Sequence, residues 1–179
     1  PLHAKEGVIS RAKRYISQKT QVLRKKVDIR DRVQNYINTV LRTMGRVKVV
    51  YAQFPESVQK TGFFTKLTEY IETGKGDLIE QLTLKPDMYT ISMQRMVIEA
   101  SLAILGIPVP RVSGEPFPTL EQVVTKIDMK KVRDQYNTLA QRFDLKHYNK
   151  AEQPLARRAK KIIDTAYNNI ARSKRVYGK

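Results

Sequence analysis

Two side chains that often carry catalytic and metal-binding chemistry, cysteine and histidine, are absent or scarce in this 179-residue chain. It has no cysteine, which removes disulfide frameworks, zinc fingers, thiol nucleophiles and thiolate-bound clusters together. Its two histidines, His3 and His147, have no second histidine or carboxylate at ligand spacing, so no metal site is expected. In the run Thr73-Gly74-Lys75-Gly76 a glycine precedes a lysine, as in a phosphate-binding loop. That pattern needs a further glycine where Glu69 stands and a Ser or Thr where Gly76 stands, and the run reads better as a helix end followed by a turn. Glu69 with Glu72, and Asp77 with Glu80, have the residue types for paired acid and base work. Nothing around them supplies the apolar setting that would raise one pKa above the other. No G-x-G-x-x-G or G-x-S-x-G is present. The sequence therefore offers no catalytic residue, no metal, no cofactor and no small-molecule substrate, and it does not read as an enzyme.

What it offers instead is positive charge. Lys and Arg number 34 against 17 Asp and Glu, a net charge of +17 with a pI of about 10.1. The excess is concentrated at the two ends. Residues 1–50 hold 13 basic and 3 acidic side chains (net +10), residues 51–128 hold 7 and 10 (net −3), and residues 129–179 hold 14 and 4 (net +10). Charge added for solubility alone would be spread evenly. Two basic ends around a near-neutral centre fit a polyanionic partner, whose phosphates need cations spaced along a surface. The nucleic-acid-binding candidates are Arg11, Lys13, Arg14, Lys19, Arg24, Lys25, Lys26, Arg30 and Arg32 at one end. At the other they are Arg157, Arg158, Lys160, Lys161, Arg172, Lys174 and Arg175. Arginines fork onto phosphate oxygens, and lysines act as point charges. No helix-turn-helix, aromatic RNA-binding signature or zinc module accompanies them, so binding without sequence preference is expected.

The elements that must position these cations are helical. The 41% hydrophobic fraction suffices for a core, and apolar residues recur three or four apart almost throughout. In residues 5–27 the stripe is Val8, Ile9, Ala12, Tyr15, Ile16, Val22, Leu23 and Val27, interrupted by Lys19 and Lys26. That suits an arm lying on something else more than a core helix. About 20 residues at ~1.5 Å each would reach on the order of 30 Å, roughly one turn of duplex. Asp28 can cap a second helix bearing Ile29, Val33, Tyr36, Ile37, Val40, Leu41 and Met44 and reaching towards Phe54. Pro55 suits the start of a third, with Val58, Phe63, Leu67, Tyr70 and Ile71, ended by Gly74 and Gly76. Leu78 to Leu84 fits a helical turn or a strand. Pro86 is expected to start a helix with Tyr89, Met93, Met96, Val97, Ala100 and Ile104 on one side, with Met88, Met93 and Met96 filling the core.

Residues 106–118, with four prolines and two glycines, predict an extended crossing. Thr119 with Gln122 is a capping-box pattern, and a break is expected near Asp128 before the stretch carrying Val132, Tyr136, Leu139 and Phe143. Pro154 should open a last helix with the stripe Leu155, Ala159, Ile162, Ile163, Ala166, Tyr167 and Ile170. Tyr15 and Tyr177 lie among basic residues, where they could pack on sugar or base. The longest apolar run, Met96 to Pro110, holds Glu99 and two prolines and cannot span a bilayer. The expected fold is all-α: a basic N-terminal helical arm, residues 1–27, followed by a four- to five-helix bundle, residues 28–179.

This plan resembles the major coat (nucleocapsid) proteins of filamentous and rod-shaped archaeal viruses, in which a basic N-terminal helical arm precedes a four-helix bundle. The arm here would be Lys5 to Lys26, and the bundle would run from Asp28 onwards. The Pro-rich crossing at 106–118 is longer than a minimal bundle needs. The resemblance implies a virion protein without enzymatic activity that coats linear double-stranded DNA and assembles into a helical filament. It implies copies of the chain or a paralogous coat subunit as partners, with the basic positions of the arm and last helix on the nucleic acid. Residue types alone leave RNA open as the ligand. They also leave open a ribosomal or mitochondrial-ribosomal RNA-binding protein, and a basic accessory subunit of a mitochondrial membrane complex resting on anionic lipid. Those readings would place the chain in the ribosome or the mitochondrion.

Overall fold

The computed structural model of the chain describes Arg11, Lys13, residues 29–40, Thr43 and residues 60–178. All regular structure among the described residues is helical, and no strand occurs there. Helix α1 covers residues 29–40. It is followed by α2 (Lys60–Thr73), α3 (Leu78–Leu82), α4 (Ile91–Ile104), α5 (Leu120–Lys126) and α6 (Met129–Arg142). A 3₁₀ turn (Leu145–His147) then leads to α7 (Gln153–Tyr177).

Helix α7 is the centre of the arrangement: α2, α3, α4, α5, α6 and the 3₁₀ turn all pack against it, α4 most extensively. The sequence explains why. Ala156, Ala159, Ile162, Ile163, Ala166 and Ile170 are fully buried and form one face at helical spacing, and three of them are alanines that let neighbouring backbones come close. Buried Asn169 and Ser173 complete that face. The expected stripe is thus present, but with two polar residues in it that periodicity alone did not single out.

Several expected boundaries coincide with the observed ones. Ile29, Val33, Tyr36, Ile37 and Val40 are buried as one face of α1. The Tyr36 ring meets Phe143 edge-on at 5.5 Å, and its hydroxyl donates to the Ile104 carbonyl at 2.9 Å. Thr119 and Gln122 form both halves of a capping box at the start of α5. Asp128 caps α6 by accepting from the Lys130 and Lys131 amides. Pro154 sits in the first turn of α7, as expected. The cap at Asp28, the helix end near Phe54, the opening at Pro55 and the stripe of residues 5–27 lie outside the described residues. Arg11 and Lys13 are both helical and exposed.

Other expectations need correcting. Leu78–Leu82 is a short helix, so the strand alternative is set aside; Leu78 and Leu82 are buried four apart. Pro86 starts no helix. Residues after it form turns, and α4 begins only at Ile91 because Thr90 is its cap, accepting from the Met93 amide at 3.2 Å. The one-sided stripe expected for α4 is replaced by burial all round. Every residue from Val97 to Ile104 is buried, which marks a helix enclosed by its neighbours. Met88 (77% exposed) and Met93 lie outward rather than filling the core, and Met96 only packs partly against it. Gly106 closes α4 with φ +71°. Its amide donates to Ala103 and the Ile107 amide to Leu102, both at 2.9 Å, a Schellman motif that needs a left-handed residue. Arg95 then donates to the Pro118 carbonyl, tying the far end of the Pro-rich crossing back to α4.

Candidate nucleic-acid interface

The cations of the C-terminal end are positioned by α7. At 100° per residue, Arg157, Lys161, Asn168, Arg172 and Arg175 fall on one line down the helix, opposite the buried face, and all five are exposed. From Arg157 to Arg175 the line measures about 27 Å at ~1.5 Å per residue. The basic last turn also complements the carboxyl end of the helix dipole. Asp164 is the one carboxylate of that face, and it is already occupied. It accepts from the Tyr136 hydroxyl at 2.6 Å and pairs with Lys160 at 3.1 Å. This hydrogen bond, together with burial, pushes the Tyr136 hydroxyl up to about 12.

The candidate cations divide into two groups by what they touch. Arg30, Arg157, Lys161 and Arg175 are exposed, and their side chains make no hydrogen bond or ion pair with the described residues, as is also true of Arg11 and Lys13. The others hold the fold. Arg158 donates from Nε to the Ile71 carbonyl (2.7 Å) and from Nη2 to the Glu72 carbonyl (2.9 Å), satisfying orphan carbonyls at the end of α2. Arg172 donates to the Leu84 carbonyl at 2.9 Å, Lys174 to the Thr125 carbonyl at 3.1 Å, and Lys160 to Asp164. Arg32 donates to the Tyr148 hydroxyl at 3.0 Å, its guanidinium carbon 6.0 Å from that ring's centre. Tyr177 is turned inward as well, donating to Gln94 Oε1 at 2.5 Å. Arg14, Lys19, Arg24, Lys25, Lys26 and Tyr15 lie outside the described residues.

A concave surface adjoins the α7 line. A cleft of about 470 Å³ runs beside Thr165, Asn168, Arg172 and Arg175 and reaches Thr83 across the helix pair, with two arginines and no carboxylate among its described lining residues. Comparison with family models, curated proteins and solved structures finds no match. Function must therefore be argued from surface chemistry alone.

Two further features were not singled out by sequence. Glu99 is 2% exposed, and its Oε2 lacks a hydrogen-bond partner among the described residues. Burial pushes its carboxyl up to about 7, against a smaller opposing effect of Arg95 one turn earlier. The sequence signal was the lone acid inside the run Met96 to Pro110. The second is a cluster of Arg142, Lys146 and His147 around a second cleft. Its cations belong to the C-terminal excess, but nothing in their spacing places them together. Among the described residues no group of three or more His, Cys, Asp or Glu could hold a metal ion, and no helix is long and apolar enough to cross a membrane.

Proposed function

We propose that this chain is a structural protein that coats linear double-stranded DNA without sequence preference and associates with copies of itself, or with a paralogous subunit, into a helical filament such as a virion coat. In this reading the basic N-terminal segment, residues 1–27, is a helical arm in front of a four- to five-helix bundle formed by residues 28–179, and RNA is the weaker candidate ligand. The observation that carries it is the exposed line Arg157, Lys161, Asn168, Arg172 and Arg175 on one continuous helix. Its ~27 Å length approaches the ~34 Å rise of one duplex turn. Four cations along one helix face, Arg157, Lys161, Arg172 and Arg175, with no acidic partner among the described residues, suit a phosphate backbone, because neutralising each phosphate releases counterions whatever the base sequence. No catalytic role belongs to this reading.

Self-association draws support from apolar side chains left in solvent. Met88, Ile91, Met93, Phe117 and Val176 are all exposed. The Tyr177–Gln94 bond brings Val176 to the end of the molecule where α4 begins, the end that also carries Met88, Ile91 and Met93. Exposed apolar side chains gathered at one end of a molecule mark contact surfaces.

The test is electron microscopy of the purified protein mixed with linear duplex DNA of two lengths, at low and high salt. Filaments whose length follows the DNA and which dissolve as salt rises are the expected result. Discrete particles, or particles indifferent to DNA, would overturn the coating role, and structured RNA would then be the next ligand to try.

A further inference from the structure

The second cleft, about 570 Å³, lies where three separate parts of the chain meet: α1 through Arg32, the end of α6 through Gln141 and Arg142, and the 3₁₀ turn through Lys146, His147 and Tyr148. Its floor is built rather than accidental. Buried Tyr148 accepts from Arg32 and donates to the Arg142 carbonyl, so one phenol ties all three parts together. The described lining residues include three permanent cations and an imidazole, with no carboxylate among them. Asp144 lies outside the lining, 3.7 Å from Lys146 Nζ. Both side chains are well exposed, so solvent screens that pair and leaves Lys146 able to take another anion. Gln153, the first residue of α7, donates to the Tyr148 carbonyl at 3.2 Å. The cleft therefore adjoins the end of α7 at which the exposed basic line begins.

We propose that this cleft seats a phosphate group of the nucleic-acid backbone, with Arg142 and Lys146 as its direct cationic ligands and His147 and Gln141 as hydrogen-bonding neighbours. Arg32, locked on Tyr148, contributes charge from the floor. A concave site lined by three cations from separate parts of the chain, with Arg32 held in place by Tyr148, can surround a tetrahedral oxyanion from several sides, which a single line of cations on one helix cannot do. The cleft would thus set the register of the duplex against α7. The inference rests on the nucleic-acid reading for the identity of its ligand, and on the cleft's own geometry for its location.

Two measurements on the full-length chain test it. In the first, inorganic pyrophosphate is titrated while the amide resonances of Lys146 and His147 are followed by NMR. Saturable shifts are expected in the parent protein and in Lys130→Gln/Arg133→Gln, which removes equal charge from the same helix outside the cleft. They should be lost in Arg142→Gln/Lys146→Gln. In the second, binding of a labelled 20-bp duplex is measured by anisotropy against salt. The cleft variant should lower the slope of log K against log salt by about one unit, the amount expected for one neutralised phosphate, and the control variant by clearly less. Equal pyrophosphate shifts in both variants, or none in the parent, would overturn the site. Pyrophosphate shifts with an unchanged duplex slope would overturn the nucleic acid as its ligand and leave a free oligophosphate. A parent protein that binds no duplex would instead sink the coating function, while the pyrophosphate titration would still decide whether the cleft is an anion site.

Discussion

Asn169 Nδ2 lies 3.0 Å from Ser101 Oγ in the middle of the contact between α7 and α4. The same amide nitrogen donates to the Leu82 carbonyl, and its oxygen accepts from the Leu84 amide at 2.9 Å. One buried side chain thus joins three other points of the chain and satisfies the backbone at and just after the end of α3, where no helical partner is available. Replacing Asn169 with Leu keeps the volume but strands a buried amide and carbonyl. Each such orphan costs about 1–3 kcal/mol, so urea denaturation should show a loss of about 3 kcal/mol or more.

Arg157 and Arg158 are neighbours in sequence with opposite roles. Arg157 is exposed without a described partner, whereas Arg158 caps α2. Arg157→Gln should leave the denaturation midpoint unchanged and reduce the salt slope of duplex binding by roughly one unit. Arg158→Gln should lower stability by about 1–3 kcal/mol, the range for lost charge-assisted hydrogen bonds, with little change in salt slope. Anisotropy and urea titration on the two variants separate these outcomes. Equal effects of both on binding would show that total charge, not position, governs affinity.

Glu99 makes stability depend on pH. Its folded-state pKa of about 7 lies above the ordinary 4.5 because burial penalises the carboxylate. Between these values the folded chain holds a proton that the unfolded chain releases, so stability is highest below about pH 4.5 as far as this group is concerned. It falls as pH rises through about 7, by on the order of 3 kcal/mol. Glu99→Gln should flatten that decline. Thermal unfolding at pH 5 and pH 8 checks it, and a parent-like pH dependence in the variant would refute the assignment.

Gly106 closes α4 in the left-handed region, and beyond its own chain neighbours no atom lies within 4 Å of where a Cβ would stand. Only backbone strain then opposes a side chain. Gly106→Ala should destabilise by about 1–2 kcal/mol, and Gly106→Asn by less, since asparagine tolerates this conformation better. Calorimetry of the two variants gives the order directly.

Much of this fold is legible in local pattern. Thr119 and Gln122 specify a capping box within four residues, Asp128 specifies a break, and α1 buries the apolar positions its spacing selects. The failures have a common physical source. Pro86 looked like a helix start because proline suits a first turn, but Thr90 supplies a side-chain cap that proline cannot, and the helix waits for it. Met93 carried an apolar label and helical spacing, yet α4 is enclosed only from its second turn onwards, and that depends on distant elements. The candidate site divides in the same way. Exposed cations on α7 follow from periodicity. That Arg158 caps α2 and Arg172 holds Leu84 follows only from contacts between residues more than eighty positions apart. Arg142, Lys146 and Arg32 likewise share a cleft through Tyr148, which no sequence spacing encodes.

That every other helix from α2 onwards leans on α7 has a consequence for biosynthesis. Translation delivers α2 to α6 before the helix they surround. Until Ala156, Ile162 and Ile170 have left the ribosome, α4 lacks its most extensive packing partner. The growing chain therefore completes its core only after this last helix emerges, and apolar surface of α4 stays uncovered until then.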